Sequence, residues 1–167
     1  MKLSDVILVV FIIWALAVAV LKNAHAEELV VEKKPQIWGV ATLFSHHYQV
    51  PGKRPKPYNE HNYGVGFEYE LSKESRLVGG EFRNSFKDTS AYLGYAWMPI
   101  HMGQHVHLGL VPLLVTGYKK HPIMPVVLPS IAVEDKNLGF NIGIVPATSN
   151  KGKWYSVIGV QVKWRWR

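Results

Sequence analysis

The 167 residues suffice for one domain, and the absence of cysteine excludes disulfides, leaving hydrogen bonds and apolar burial to hold the chain together. Charged residues are only 19%, against about a quarter in ordinary globular proteins, while aromatics reach 12%. The formal net charge of +7 fits nucleic acid or anionic lipid headgroups alike, but the basic residues lie in turns and strand ends rather than on one helix, so charge alone selects neither.

Residues 6–21 read VILVVFIIWALAVAVL, preceded by Lys2 and followed by Ala24-His25-Ala26. A basic start, an apolar core and a small-x-small ending predict a secretory signal peptide over 1–26, cleaved after Ala26. An uncleaved anchor is the alternative, though the apolar run is shorter than the 18 or more residues that usually span. Either way the rest of the chain, 27–167, leaves the cytosol as a single domain.

After a short polar lead, the pattern is strand and turn. Strands are predicted near 37–48, 63–69, 76–84, 91–97, 106–111, 126–134, 138–145 and 154–167. The last is the clearest. One face carries Trp154, Ser156, Ile158, Val160, Val162, Trp164 and Trp166; the other carries Tyr155, Val157, Gly159, Gln161, Lys163, Arg165 and Arg167. Period-2 alternation sends the two sets to opposite sides of a sheet. An aliphatic face with Trp at both ends is the pattern of a lipid-facing strand between aromatic girdles. Tyr63, Val65, Phe67 and Tyr69, and then Ala91, Leu93, Tyr95 and Trp97, alternate with Gly-rich partners in the same way.

Turn signals at Pro51-Gly52-Lys53, residues 72–75, Lys87-Asp88-Thr89, Met102-Gly103, Asp135-Lys136-Asn137 and residues 149–152 separate the strands. Eight antiparallel strands, an even number, close into a barrel without edges. The expected fold is therefore all-β: an eight-stranded antiparallel transmembrane β-barrel of outer-membrane type. Small residues on the inner face leave room for a slender ligand such as an acyl chain. Pro112, Pro122, Pro125 and Pro129 cannot donate to a ladder. They predict strand ends or bulges, and a lateral opening is the other way such a break can be used.

Three sets of residues can carry chemistry. Ser45-His46-His47-Tyr48 ends the first strand and Asn84-Ser85 follows the third. Strand geometry lets only one of His46 and His47 face a given partner. A His beside a Ser hydroxyl can act as general base for acyl transfer, and an Asn can orient the His or hold an oxyanion. His105 and His107 share a strand face near His101, a spacing that suits a metal pair or two turn-end histidines. Lys53, Arg54, Lys56, Lys119 and Lys120 fit either lipid phosphates or solvated turns.

The order of several blocks is more specific than any one of them. Ser45-His46-His47-Tyr48, then Tyr58-Asn59-Glu60 leading into Gly64-Val65-Gly66-Phe67-Glu68-Tyr69, then Phe82-Arg83-Asn84-Ser85 and Tyr92-Leu93-Gly94-Tyr95-Ala96-Trp97, resemble the lipid A palmitoyltransferase family, PagP. Leu108-Gly109-Leu110, Thr116-Gly117-Tyr118 and the stretch from Pro125 to Ser130 continue the resemblance. It implies an outer-membrane acyltransferase, monomeric and without a cofactor or a nucleic-acid partner. Such an enzyme moves a palmitoyl chain from a glycerophospholipid to lipid A in a Gram-negative outer membrane. It places a catalytic His, Asp and Ser at the extracellular surface. Matched to this chain, they fall on His47 (with His46 as the other candidate), Asn84 and Ser85, with proline-broken strands serving lateral lipid entry. Asn84 stands where the family carries Asp.

Overall fold

The computed structural model describes residues 35–49, 58–118, 121–148 and 154–166. The predicted signal segment, the basic residues Lys53, Arg54, Lys56, Lys119 and Lys120, and the turns at 51–53 and 149–152 lie outside these residues.

Eight antiparallel strands follow in chain order: β1 Ile37–Gln49, β2 Gly64–Glu70, β3 Ser75–Arg83, β4 Thr89–Met102, β5 Val106–Tyr118, β6 His121–Glu134, β7 Leu138–Thr148 and β8 Trp154–Arg165. Each pairs with its sequence neighbours, and β8 returns to β1, so the sheet closes. Alternation decides which side faces out. Large apolar side chains are exposed on every strand, among them Phe44, Phe67, Leu77, Leu93, Leu114, Val127, Ile144 and Trp164. An apolar wall around the whole circumference belongs in hydrocarbon rather than water. The inward set includes Trp38, Val78, Ala96, Met98, Val111 and Ala132, all buried.

The proline positions differ from expectation. Rather than ending at Pro112, β5 runs on to Tyr118, and β6 runs through Pro122, Pro125 and Pro129. The β5–β6 ladder continues past them, pairing Pro112 with Val127, Leu114 with Pro125 and Leu110 with Pro129. What stops is the other side of β6. Its pairing with β7 covers only Ser130 to Glu134, although β7 itself continues to Thr148 against β8. Pro125 and Pro129 share a parity, so the N–H groups they lack belong to the same side of β6, which keeps one neighbour and loses the other. Pro122, of opposite parity, interrupts only its pairing with β5. A second gap lies between β1 and β2, where pairing ends at Thr42. Both gaps are at the same end of the barrel.

Not all the small inward residues leave space. A Cβ at Gly66 or Gly80 would run into the Tyr92 hydroxyl, so that ring lies across the glycine strip. At Gly159 a Cβ would meet nothing within 4 Å. The inner face of β8 at Gly159 borders open space, whereas the glycine strip of β2 and β3 is covered.

Candidate active site

One extra residue in β1 decides which histidine faces inward. Up to Thr42 the even-numbered side chains Trp38 and Val40 point inward and are buried. Between Thr42 and Phe44 the register against β8 shifts: Thr42 faces Gln161 and Phe44 faces Val160. Leu43 is thus a bulge, and a bulge reverses the alternation beyond it. Odd-numbered residues now face inward. Ser45 and His47 are buried, His47 at 7% exposure, while His46 and Tyr48 face out.

Ser85 is brought to His47 by the turn between β3 and β4. His47 Nε2 lies 2.9 Å from Ser85 Oγ, a hydrogen bond in which the hydroxyl donates to a neutral ring nitrogen or accepts from a protonated one. Asn84, fully buried, does not join them. Its Oδ1 accepts from the Phe86 and Asp88 amides at 2.8 and 3.1 Å. Its Nδ2 donates to Ser90 Oγ and to the Gly117 carbonyl, both at 3.0 Å. All four hydrogen-bonding positions of the amide are therefore filled. The side chain winds the turn around itself and anchors it to β4 and β5. Lys87 in this turn has a φ of 69°, a conformation that such a wrapped turn can impose. Gly117 has a φ of 84°, and a Cβ there would strike the Thr89 carbonyl and Ser90 Oγ. Only glycine lets the chain pass close enough for its carbonyl to reach Asn84.

The segment 58–62 closes the site. Asn59 N donates to the Ser85 carbonyl at 2.9 Å, and Ser45 N donates to the Glu60 carbonyl at 2.9 Å. Asn59 Nδ2 reaches the Asn84 carbonyl at 3.1 Å. Tyr58 stacks on the His47 ring at 4.6 Å. Glu60 Oε1 accepts the His47 amide at 3.2 Å and lies 3.9 Å from His47 Nδ1 and 3.2 Å from His46 Nδ1. Ser45 donates to Asn62 Oδ1 at 2.5 Å. Below these groups a cavity of about 250 Å³ runs down the barrel. Ser85, Ser45 and Asn62 line its upper part, Val78, Val111, Val115, Met124 and Gly159 its middle, and Glu68 and Arg76 its floor. A polar mouth over an apolar shaft suits an amphiphile whose tail lies inside.

At the other end is a set of charges that sequence reasoning missed. Arg76 donates to both oxygens of Glu134 and, at 3.2 Å, to Glu68. Lys163, with 0% exposure, reaches Glu68 at 2.8 Å and Glu134 at 2.6 Å. Glu70 adds a third, less buried carboxylate 3.7 Å from Arg76, and Asn141 donates to Glu68 at 2.5 Å. Their common inward phase was readable, but the partners lie as far as 95 positions apart in sequence. Nothing local pairs them.

His105 lies in the turn before β5, as the turn-end reading has it, and so shares no strand face with His107. His105 Nδ1 donates to the Glu134 carbonyl at 2.7 Å, whereas His107 Nδ1 meets His101 Nδ1 across the β4–β5 hairpin at 2.8 Å. Among the described residues, no group of three or more His, Asp or Glu could hold a metal ion.

Residues 33–159 match the family described as "Antimicrobial peptide resistance and lipid A acylation protein PagP". Comparison with curated protein sequences gives no match. Among solved structures, a barrel from "De novo design of transmembrane beta-barrels" superposes with a TM-score of 0.52 at 15% identity, covering 80% of this chain and 99% of that one. Ail, the attachment invasion locus protein of Yersinia pestis, gives a TM-score of 0.44 at 9% identity, over 81% of this chain and 100% of that one. The first likeness bears on the barrel fold alone. The family match spans well over half of the sequence, and the chain belongs to the PagP family of lipid A acyltransferases, which act in the outer membrane.

Proposed function

We propose that this barrel takes a palmitoyl chain from a glycerophospholipid and transfers it to a lipid A hydroxyl, working as a monomer after residues 1–26 are removed. The observation that carries this reading is the 2.9 Å contact between buried His47 and Ser85 at the mouth of an apolar shaft. The acyl tail occupies the shaft, which puts its ester carbonyl beside the two side chains. His47 Nε2 takes the proton of the acceptor hydroxyl as its oxygen attacks the carbonyl. Ser85 orients the imidazole or donates to the oxyanion of the tetrahedral intermediate. When that intermediate collapses, the new ester forms and the imidazolium returns its proton to the departing lysophospholipid oxygen. Asn84 contributes by fixing the turn that presents Ser85. The gaps between β6 and β7 above Ser130 and between β1 and β2 above Thr42 give the lipids a sideways route from the bilayer, with the site end facing outward.

The test is the lipid A of a Gram-negative host that expresses the chain. Its mass spectrum should gain one palmitoyl group, and His47→Ala should lower the transfer rate by roughly 10²–10⁴-fold. Unmodified lipid A beside a verified folded barrel would overturn the reading. It would favour instead a lipid-binding barrel without chemistry, to which the uncharged, fully engaged Asn84 lends some support.

A further inference from the structure

We infer that Glu60 is the positioning carboxylate for His47, holding the ring and stabilising its protonated form. The inference rests on the acyltransferase reading above. A histidine that passes a proton to and fro works best when its second nitrogen faces a carboxylate, which fixes the tautomer and offsets the imidazolium charge. Asn84 cannot serve. It bears no charge, and its four hydrogen-bonding positions are occupied by Phe86, Asp88, Ser90 and Gly117.

Glu60 has both the charge and the placement. The His47 ring stands between a hydroxyl and a carboxylate, with Nε2 at 2.9 Å from Ser85 Oγ and Nδ1 at 3.9 Å from Glu60 Oε1. The longer distance is of the kind that shortens when substrate enters such a site. The carboxylate is also aligned by the backbone, since the same oxygen accepts the His47 amide at 3.2 Å. Its loop is tied to both partners: the Glu60 carbonyl accepts from Ser45 N on β1, and Asn59 N donates to the Ser85 carbonyl. On the outer side, His46 Nδ1 sits 3.2 Å from Glu60 Oε1. The carboxylate is thus shared by two imidazoles, one facing the cavity and one facing out. The Glu60 side chain is 36% exposed, so water screens part of its effect on His47.

The experiment uses the full chain in detergent micelles with a phospholipid donor and lipid A as acceptor. Glu60→Gln keeps the size and the oxygen that accepts the His47 amide but removes the charge. We expect kcat to fall roughly 10- to 100-fold while KM for the donor stays within about twofold. Glu60→Asp restores the charge and should recover most of the loss. Migration on unheated gels verifies that each variant is a folded barrel. A Glu60→Gln enzyme within about twofold of the parent in kcat, while His47→Ala is inactive, overturns the Glu60 role and leaves the acyltransferase reading intact. A loss that Glu60→Asp does not relieve, or one that appears mainly in KM, also overturns it. A parent protein that transfers no acyl group overturns the reaction itself, and this inference with it.

Discussion

The two ends of the barrel are built on opposite principles. At the turn end, every seam is paired and the tight turns lock the rim. Glu134 N donates to the His105 carbonyl, Arg165 N to the Asn137 carbonyl and Trp166 N to the Ile37 carbonyl. Inside, four buried charges satisfy one another across β2, β3, β6 and β8. At the site end, two seams lack their ladders, and the buried polar groups are amides, hydroxyls and the His47 imidazole. Closure of one end lets the other stay open. A sheet that gives up hydrogen bonds on β6 and β1 needs its register fixed elsewhere, and the charge cluster, which ties β2, β3, β6 and β8 together, is placed to do so.

The sharpest way to break this division is Lys163→Met. It leaves Glu68 and Glu134 sharing one cation, and loss of one partner from a buried ion network costs about 3–5 kcal/mol. Urea unfolding in lipid vesicles should show that loss, and acyl transfer by the fraction still folded should be nearly unchanged. A stability change below about 1 kcal/mol would mean that the cluster does not anchor the barrel.

Asn84→Asp should have the next largest effect, and in a direction that family resemblance alone would not suggest. An Asp would set a carboxylate oxygen against the Gly117 carbonyl, where Asn84 now donates at 3.0 Å. Losing a buried donor this way costs about 1–3 kcal/mol. Thermal unfolding should move down, and the transfer rate should fall rather than rise as the Ser85 turn loosens. A faster enzyme would show that the carboxylate finds a place this turn does not offer.

Gly159→Leu should alter stability least. A Cβ there meets open space, so the change stays within about 0.5 kcal/mol. The added side chain occupies the shaft, and transfer of a palmitoyl chain should drop while a shorter acyl donor is still accepted. Equal rates with both donors would place the acyl tail elsewhere.

The eight strands were legible because a wall between lipid and interior imposes period 2 on every segment. Bounds were less so. The sequence suggested that β5 and β6 would end or bulge at their prolines, since a residue without N–H damages a ladder. It damages only the ladder on one side, and Pro112, Pro125 and Pro129 stay paired between β5 and β6. Ser85 and the histidine pair could be picked out, but only the bulge at Leu43 decides which of His46 and His47 faces the cavity. Nothing in a leucine between Thr42 and Phe44 announces a bulge. Glu60 was visible only as part of a recognisable block; its closeness to His47 comes from a loop folded back onto β1. The charge cluster was hidden for the same reason, as its members are adjacent only after closure.

Leu43 has a consequence for how β1 tolerates change in length. Were Leu43 deleted, β1 would return to plain alternation and Ser45 and His47 would still face the interior. Were one more residue added, or the bulge ironed flat with Leu43 retained, the inward place would pass to His46. Consecutive histidines therefore act as a spare: a one-residue slip at this point exchanges one imidazole for another rather than removing it.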